Sequence, residues 1–239
     1  MLSEKPWRMD AVTQLVVGAA GCLLLSSLWM TVGADQKPLP SGALRSLGAT
    51  ATFQGAVVVM LWFFVRQHSL SLREAFGFDL NPGMAAALGV GVGLLFVPIE
   101  IGVQQGIQLL SQWLHLHLPE QNAVTMVKLA NNLPDRVVLG FMTMVAAPIA
   151  EEGLFRGVFY PALRRVISPG MAMLLTSLVF AFIHGNVAIF IPLVLLAIGL
   201  TKLYEKTGNL LACILCHATF NAINFVALLF VNEPTTPGP

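Results

Sequence analysis

Three polar clusters interrupt otherwise apolar stretches in the second half of the chain. They are Glu151-Glu152-Gly-Leu-Phe-Arg156, Phe180-Ala-Phe-Ile-His184 and His217-Ala-Thr-Phe-Asn221. A carboxylate can act as a general base, while imidazole and amide groups can move protons or donate hydrogen bonds to an oxyanion. These groups suffice for water-mediated hydrolysis without a covalent intermediate, and the sequence contains no GxSxG nucleophile motif.

Helical spacing separates the two adjacent carboxylates of the first cluster. Glu152 and Arg156 are four residues apart with the acid first, which is the favourable order for an ion pair on one helix face. Glu151 lies about 100° around the helix from Glu152, so it points elsewhere and lacks that arginine. We therefore predict that Glu151 is the free carboxylate. His217 and Asn221 also share the i, i+4 spacing, so their side chains should project together.

A further polar stripe lies on an earlier apolar segment, where Glu100, Gln104 and Gln108 share one helix face. A carboxylate at membrane depth must face the interior of a bundle and find a partner there. The stripe is either a set of hydrogen bonds between helices, which we favour, or the polar wall of a substrate cavity. Phe180 and Asn224 are the other residues that we assign to such a cavity.

The composition indicates a membrane protein. Hydrophobic residues make up 56% of the 239 residues, charged residues only 10%, and the mean hydropathy is +0.77. Soluble domains carry roughly 25% charged residues, so this chain lacks the polar groups to cover a surface that faces water. The net charge is +1 with no basic run, so no nucleic-acid partner is expected.

The chain is predicted to be all-α, a polytopic bundle of seven to eight transmembrane helices. The seven apolar segments are 11–32, 48–65, 84–112, 137–166, 171–184, 187–203 and 210–231. Residues 113–136 form an interfacial segment or long loop, or supply the eighth span. We expect one integral-membrane domain over 1–231, with its motif-bearing core at 137–231, and a disordered Pro-rich tail at 232–239.

The first apolar segment has two interpretations. Val32-Gly33-Ala34 resembles a signal-peptide cleavage site, but the apolar run exceeds the usual length of about 7–15 residues, so we predict a retained span. With seven spans and the N-terminus inside, inner segments hold nine Lys and Arg residues and outer segments four. This bias predicts a multi-pass protein of the cell membrane with a cytoplasmic N-terminus, although an eighth span would undo the count.

Small residues predict where helices approach each other. Gly89-x-x-x-Gly93 and Gly102-x-x-x-Gly106 both have the spacing that allows close contact between membrane helices. Cys213 and Cys216 form a CxxC pattern, which we interpret as two buried apolar thiols because no thioredoxin-like pattern surrounds them.

The three motifs, in this order on separate membrane helices, resemble those of the CPBP family. These CAAX-protease and bacteriocin-processing proteins include the type II CAAX prenyl endopeptidases, and the motifs span residues 151–221 here. The resemblance implies about eight helices around an intramembrane cavity, glutamate-type endopeptidase activity, and a membrane-embedded or lipidated polypeptide substrate. It also implies roles for the motif residues: Glu151 as general base assisted by His184, His217 and Asn221 as oxyanion donors, and Glu152 with Arg156 as a brace.

Other functions fit the same residues. Glu151, His184 and His217 have the His₂Glu composition of a catalytic zinc site, although HExxH is absent and we expect no cofactor. A non-catalytic scaffold or bacteriocin-immunity protein of the same fold would use the polar residues only for helix packing. A transporter is disfavoured because we find no internal repeat with broken helices.

Overall fold

The computed structural model describes residues 4–32, 42–130 and 132–231. These residues form helices joined by loops, with a 3₁₀ turn at Val187–Ile189 and no strand within the described ranges. In chain order the helices are α1 (Met9–Val32), α2 (Gly42–Gln67), α3 (Leu72–Phe76), α4 (Pro82–Trp113), α5 (Asn122–Leu129), α6 (Leu133–Leu163), α7 (Pro169–Ile183), α8 (Phe190–Thr207) and α9 (Leu210–Val231).

The helices have the lengths that a membrane requires. Six of the described helices, namely α1, α2, α4, α6, α8 and α9, are long and apolar enough to cross a bilayer, and α7 is a shorter apolar helix. The predicted class, an all-α polytopic bundle, is therefore confirmed. Large apolar side chains such as Leu24, Leu95 and Phe182 remain exposed, as expected for surfaces that face lipid.

The stretch between α4 and α6 contains α5, a helix of eight residues. Such a helix is about 12 Å long, which is too short for a span of its own. The next helix, α6, begins at Leu133, four residues earlier than predicted. Asn132 caps it, because its side chain accepts a hydrogen bond from the Asp135 amide and Pro134 follows in the first turn.

One of the two predicted glycine contacts is present. A Cβ atom at Gly89 or Gly93 would lie 2.5 or 2.6 Å from a backbone carbonyl oxygen of α9, so α4 and α9 approach each other too closely for any larger side chain. Nothing lies within 4 Å of a Cβ atom at Gly102 or Gly106, so that spacing marks no contact within the described residues.

The N-terminal segment and α1 are packed into the bundle. Trp7 has no exposed surface and its ring contacts Phe64 of α2, along which α1 also packs. The possible cleavage residues Gly33 and Ala34 lie outside the described residues, as does the predicted tail at 232–239. The core into which Trp7 packs also contains the buried thiols of Cys213 and Cys216.

Helix α6 is the element that positions the first motif. It contains two π-helical segments, Met142–Ala146 and Gly153–Phe159, on either side of the α-helical turn Ala147–Glu152. The Glu151-Glu152 pair therefore lies at the end of one short regular turn between two widened ones.

Candidate active site

Glu152 is the centre of a buried polar cluster that joins three helices. Its Oε1 accepts a hydrogen bond from Arg156 Nη1 at 2.9 Å and lies 2.9 Å from His217 Nδ1. Because a carboxylate oxygen only accepts, His217 carries a proton on Nδ1. Arg156 Nη2 donates to the Ala197 carbonyl of α8 at 3.1 Å. The side chains of Glu152 and Arg156 have no exposed surface, so the pair is shielded from water.

Glu151 has a different environment. Its Oε2 lies 3.9 Å from His184 Nε2 and 4.0 Å from His217 Nε2, and no donor among the described residues reaches that buried atom. These separations are too long for direct hydrogen bonds, but a water molecule about 2.8 Å from both atoms would bridge Glu151 to either imidazole. The carboxylate keeps 18% of its side-chain surface exposed, so solvent or substrate can reach it.

His184 is positioned by the end of its own helix. It follows the last residue of α7, and its Nδ1 lies 2.7 Å from the Phe180 carbonyl oxygen. Since that oxygen accepts, a proton is on Nδ1, and Nε2 is the ring nitrogen that faces Glu151. Gly185 has a φ of +63°, a conformation that favours glycine, so the chain turns away directly after the ring.

Phe180 forms the common wall behind both imidazole rings. It is fully buried, with its ring centroid 4.8 Å from that of His184 and 5.9 Å from that of His217. The Arg156 guanidinium lies over the same ring at 4.6 Å, a cation–π contact. Phe180 therefore lies at a junction of packed side chains beside the candidate site.

Asn221 lies one turn after His217 on α9. Its Nδ2 donates to the Thr143 carbonyl of α6 at 2.9 Å. An amide nitrogen has two hydrogens, so one N–H remains for another acceptor. The structure therefore brings Asn221 to the first π-helical segment of α6.

The predicted stripe on α4 is partly formed. Asn224 Nδ2 donates to Glu100 Oε2 at 2.8 Å, which joins α9 to α4. Gln104 Nε2 is buried and finds no partner among the described residues. The Glu100–Asn224 contact is a hydrogen bond between helices, the interpretation that the sequence favoured.

A cavity on another face of α6 is separate from these residues. It has a volume of about 330 Å³ and an apolar lining that includes Leu61, Trp62, Ile149 and Gly153. Ile149 lies two residues before Glu151, which places it about 200° around the helix. The cavity therefore adjoins the face of α6 that is turned away from the Glu151 carboxylate.

The carboxylate and imidazole groups of the site are too far apart, as placed, to bind a metal ion together. No group of three or more His, Cys, Asp or Glu residues within the described ranges could hold a metal ion as placed. Tetrahedral zinc ligands at about 2.1 Å from the metal lie about 3.4 Å from one another. The Glu151–His184 and Glu151–His217 separations of 3.9 and 4.0 Å would have to shorten by about 0.5 Å for zinc to bind there.

Sequence reasoning missed two contacts of the site. The Glu152–His217 bond joins residues 65 apart in the chain, and the bond from Trp7 to Gly157 joins residues 150 apart. No local spacing signals either contact. The two prolines in the interior of α6, Pro148 and Pro161, are the one signal that could have shown its irregular backbone, because proline has no N–H for the helix.

Comparison with known proteins agrees with the motifs. Residues 133–223 match the family model described as type II CAAX prenyl endopeptidase Rce1-like. The matched segment runs from the start of α6 into α9 and includes all three polar clusters. Neither the curated proteins nor the solved structures give a match to the chain. The resemblance to the CPBP family of CAAX-protease-like membrane proteins is thus confirmed over residues 133–223.

Proposed function

We propose that this chain is an intramembrane endopeptidase that hydrolyses a peptide bond with a water molecule activated by Glu151. The family match indicates a CAAX protease-like intramembrane peptidase, and the residue roles that we propose are those that the motif resemblance implies. The observation that supports it most is the buried, unpartnered Oε2 of Glu151, about 4 Å from two imidazole nitrogens.

Glu151 and His184 share the activation of water. A water molecule between them donates one O–H to the Glu151 carboxylate and the other to Nε2 of neutral His184. These two bonds turn a lone pair of the water oxygen towards a substrate carbonyl carbon. Glu151 takes the proton as the C–O bond forms and later transfers it to the leaving amine, whose C–N bond breaks. General-base action of this kind accelerates a reaction by about 10²–10⁴-fold.

His217 and Asn221 stabilise the tetrahedral intermediate. With Nδ1–H bound to Glu152, His217 can donate to an oxyanion only when Nε2 is also protonated. The Glu152 carboxylate, which is also paired with Arg156, accepts the Nδ1–H of that imidazolium. The N–H of Asn221 that is not bound to Thr143 is the second donor, and one such donor contributes about 10²–10³ in rate.

The substrate that we propose is a membrane-embedded or lipidated polypeptide. His184 keeps 26% of its side-chain surface exposed at the end of α7. Two strongly exposed apolar residues, Phe182 and Val187, lie on either side of it in the chain. A polypeptide held in the bilayer can therefore approach the His184 side of the site laterally.

We further propose that the N-terminus is cytoplasmic. Trp7 contacts Gly157 in the last two turns of α6 and Arg165 just after that helix, and α2 ends nearby at Gln67, next to Arg66. Arg73 and Lys206 lie at the same end of the bundle, since Asn209 bonds the backbone before α4. This accumulation of cations supports an inward orientation. Labelling a single cysteine introduced at Arg73 with an impermeant thiol reagent, in cells whose native thiols are already blocked, tests the side directly.

Glu151→Gln is the direct test of the proposed function. Cells that carry wild-type protein should contain a shortened membrane polypeptide that is missing from cells with the variant. Purified Glu151→Gln should then cleave that polypeptide about 10²–10⁴-fold more slowly, since it loses the base. Glu100→Gln is the matched control, because it changes another intramembrane carboxylate outside the site.

Three results would overturn the assignment. Full activity of a normally folded Glu151→Gln variant would exclude Glu151 as the base. Stoichiometric zinc together with activity that chelators abolish would favour the metallohydrolase. The non-catalytic scaffold would be favoured if cells with wild-type protein and cells with Glu151→Gln contained the same membrane polypeptides and the variant also gave full biological complementation.

A further inference from the structure

Both π-helical segments of α6 are followed by a proline after one intervening residue. In the first, the Ala147 amide bonds the Met142 carbonyl five residues back, and Pro148 comes next. In the second, the Tyr160 amide bonds the Phe155 carbonyl, and Pro161 comes next. Because proline has no N–H, each widened turn leaves a carbonyl group without a donor from its own helix.

In each of the two turns, a carbonyl group four or five residues before the proline receives a hydrogen bond from a distant side chain. The Thr143 carbonyl finds no donor on its own helix, because the Ala147 amide bonds Met142 and Pro148 has no N–H. Its oxygen accepts from Asn221 Nδ2 at 2.9 Å instead. Gly157 precedes Pro161 by four residues, and its oxygen accepts from Trp7 Nε1 at 3.0 Å. In a bilayer an unpaired carbonyl group finds no water, so these bonds stabilise the irregular backbone.

The Trp7 indole is held firmly enough to act as a fixed donor. Its side chain is completely buried, and its ring meets those of Phe64 and His68 at edge-on contacts with 5.1 Å between centroids. The Trp7 carbonyl oxygen accepts from Arg165 Nη1 at 2.6 Å. The following amide, of Arg8, donates to His68 Nε2 at 3.0 Å. The segment is therefore anchored to both α2 and the residues after α6.

The position of this bond relates it to the candidate site. Gly157 follows Arg156, whose guanidinium holds Glu152, and both residues lie within the second π-helical segment. A widened turn changes the angular position of each residue beyond it relative to a regular helix. The register of that segment therefore decides whether Arg156 faces Glu152, and through Glu152 it sets the direction of His217.

We propose that Trp7 is a positioning residue for the candidate active site. Its indole N–H replaces the missing Pro161 donor at Gly157 and keeps the second π-helical segment in register, as Asn221 does for the first. The N-terminal segment is then part of the catalytic scaffold, although it lies outside the matched residues 133–223. The effect on turnover rests on the proposed function, whereas the effect on the backbone does not.

Hydrogen exchange of the full-length protein in nanodiscs tests the backbone effect. Trp7→Phe keeps an aromatic ring and removes the N–H, and amides of residues 153–163 should exchange about tenfold faster. Trp7→Phe/Pro161→Ala should return exchange to within about twofold of wild type, because an alanine amide at that position can donate to Gly157 itself. Trp62→Phe is the control, since Trp62 is partly exposed on α2, and it should leave exchange in this segment unchanged.

The rescue by Pro161→Ala separates a donor from a packing group. Unchanged exchange in Trp7→Phe, or faster exchange that Pro161→Ala does not correct, would overturn the proposal. With a cleaved substrate in hand, Trp7→Phe should lower kcat with little change in KM, and the double variant should recover it. If Glu151→Gln proves fully active, the proposed function fails, but the exchange result still decides the role of Trp7.

Discussion

Two carboxylate sites lie within the membrane bundle, and they are partnered in opposite ways. Glu152 is completely buried and is bound by a guanidinium and an imidazole from two helices. Glu100 is half-buried and receives one hydrogen bond from the neutral amide of Asn224. The first site compensates a charge, whereas the second joins two helices and offers no charged partner.

The contrast shows what the motif-bearing site adds to ordinary helix packing. Its charge compensation is concentrated on Glu152, which leaves the neighbouring Glu151 without a donor on Oε2. A carboxylate that accepts no strong hydrogen bond remains available to take a proton. The Glu100 site has no such second carboxylate, so we expect it to contribute to stability alone.

The largest effect should follow from breaking the compensated site. Arg156→Met leaves Glu152 as a buried charge without its main partner, which should destabilise the fold by about 3–5 kcal/mol. Reversible unfolding in mixed micelles measures this difference. Adding Glu152→Gln to Arg156→Met should restore much of the stability, because no charge then remains to be compensated. Equal stability of Arg156→Met and wild type would show that the pair is not a structural brace.

A smaller effect, on rate rather than folding, is expected at Asn221. Asn221→Ala should slow turnover by about 10²-fold through the loss of an oxyanion donor. It should also speed hydrogen exchange around Thr143. Adding Pro148→Ala supplies a new amide for the Thr143 carbonyl and should restore exchange but not turnover. Full recovery of turnover in the double variant would mean that Asn221 acts only on the backbone.

Glu100→Gln should have a weaker effect still. Its hydrogen bond to Asn224 can form with an amide, and bonds between membrane helices contribute only about 0.6 kcal/mol on average. The variant should unfold at almost the wild-type denaturant concentration and keep full activity. A loss of activity without a loss of stability would instead place Glu100 in the substrate path and remove the contrast with Glu152.

The smallest effect concerns the loop before α5. A hydrogen bond from Lys128 holds the pKa of the exposed Glu120 carboxyl below its usual value. The ion pair therefore stabilises the folded loop at neutral pH, and this contribution is lost as the pH falls through the lowered pKa. Glu120→Gln should slightly increase hydrogen exchange in residues 114–130 at neutral pH and not in acid. An equal increase at both pH values would rule out the ion pair as the cause, and high salt should weaken the difference.

Local spacing explains how much of the site could be predicted. The Glu152–Arg156 contact follows from an i, i+4 spacing, and the separate direction of Glu151 follows from the helical angle between neighbours. The second rule needs only the regular turn Ala147–Glu152. The first holds here although Arg156 lies in the second π-helical segment. The membrane character of the fold could also be predicted from the sequence, because the composition alone indicates that lipid is the solvent.

The remaining contacts depend on tertiary packing. Nothing in the sequence around Glu152 indicates that His217 will reach it, and nothing around Trp7 points to Gly157. A period of 3.6 residues also hides π-helical segments, since the hydrophobic pattern assumes a regular helix. The apolar pattern predicts a start of α6 at residue 137 instead of Leu133, because the apolar periodicity before it is weak. The capping signal of Asn132 and Pro134 lies in that stretch.

Helix α7 has a consequence for the surrounding bilayer. Its 15 residues extend over about 22 Å, whereas the hydrocarbon layer of a typical membrane is about 30 Å thick. A short apolar helix causes hydrophobic mismatch, which lipids relieve by thinning locally. His184 lies where α7 ends, so local thinning around this helix would bring the headgroup region and its water closer to that residue. The water that a hydrolysis consumes would then have only a short distance to travel.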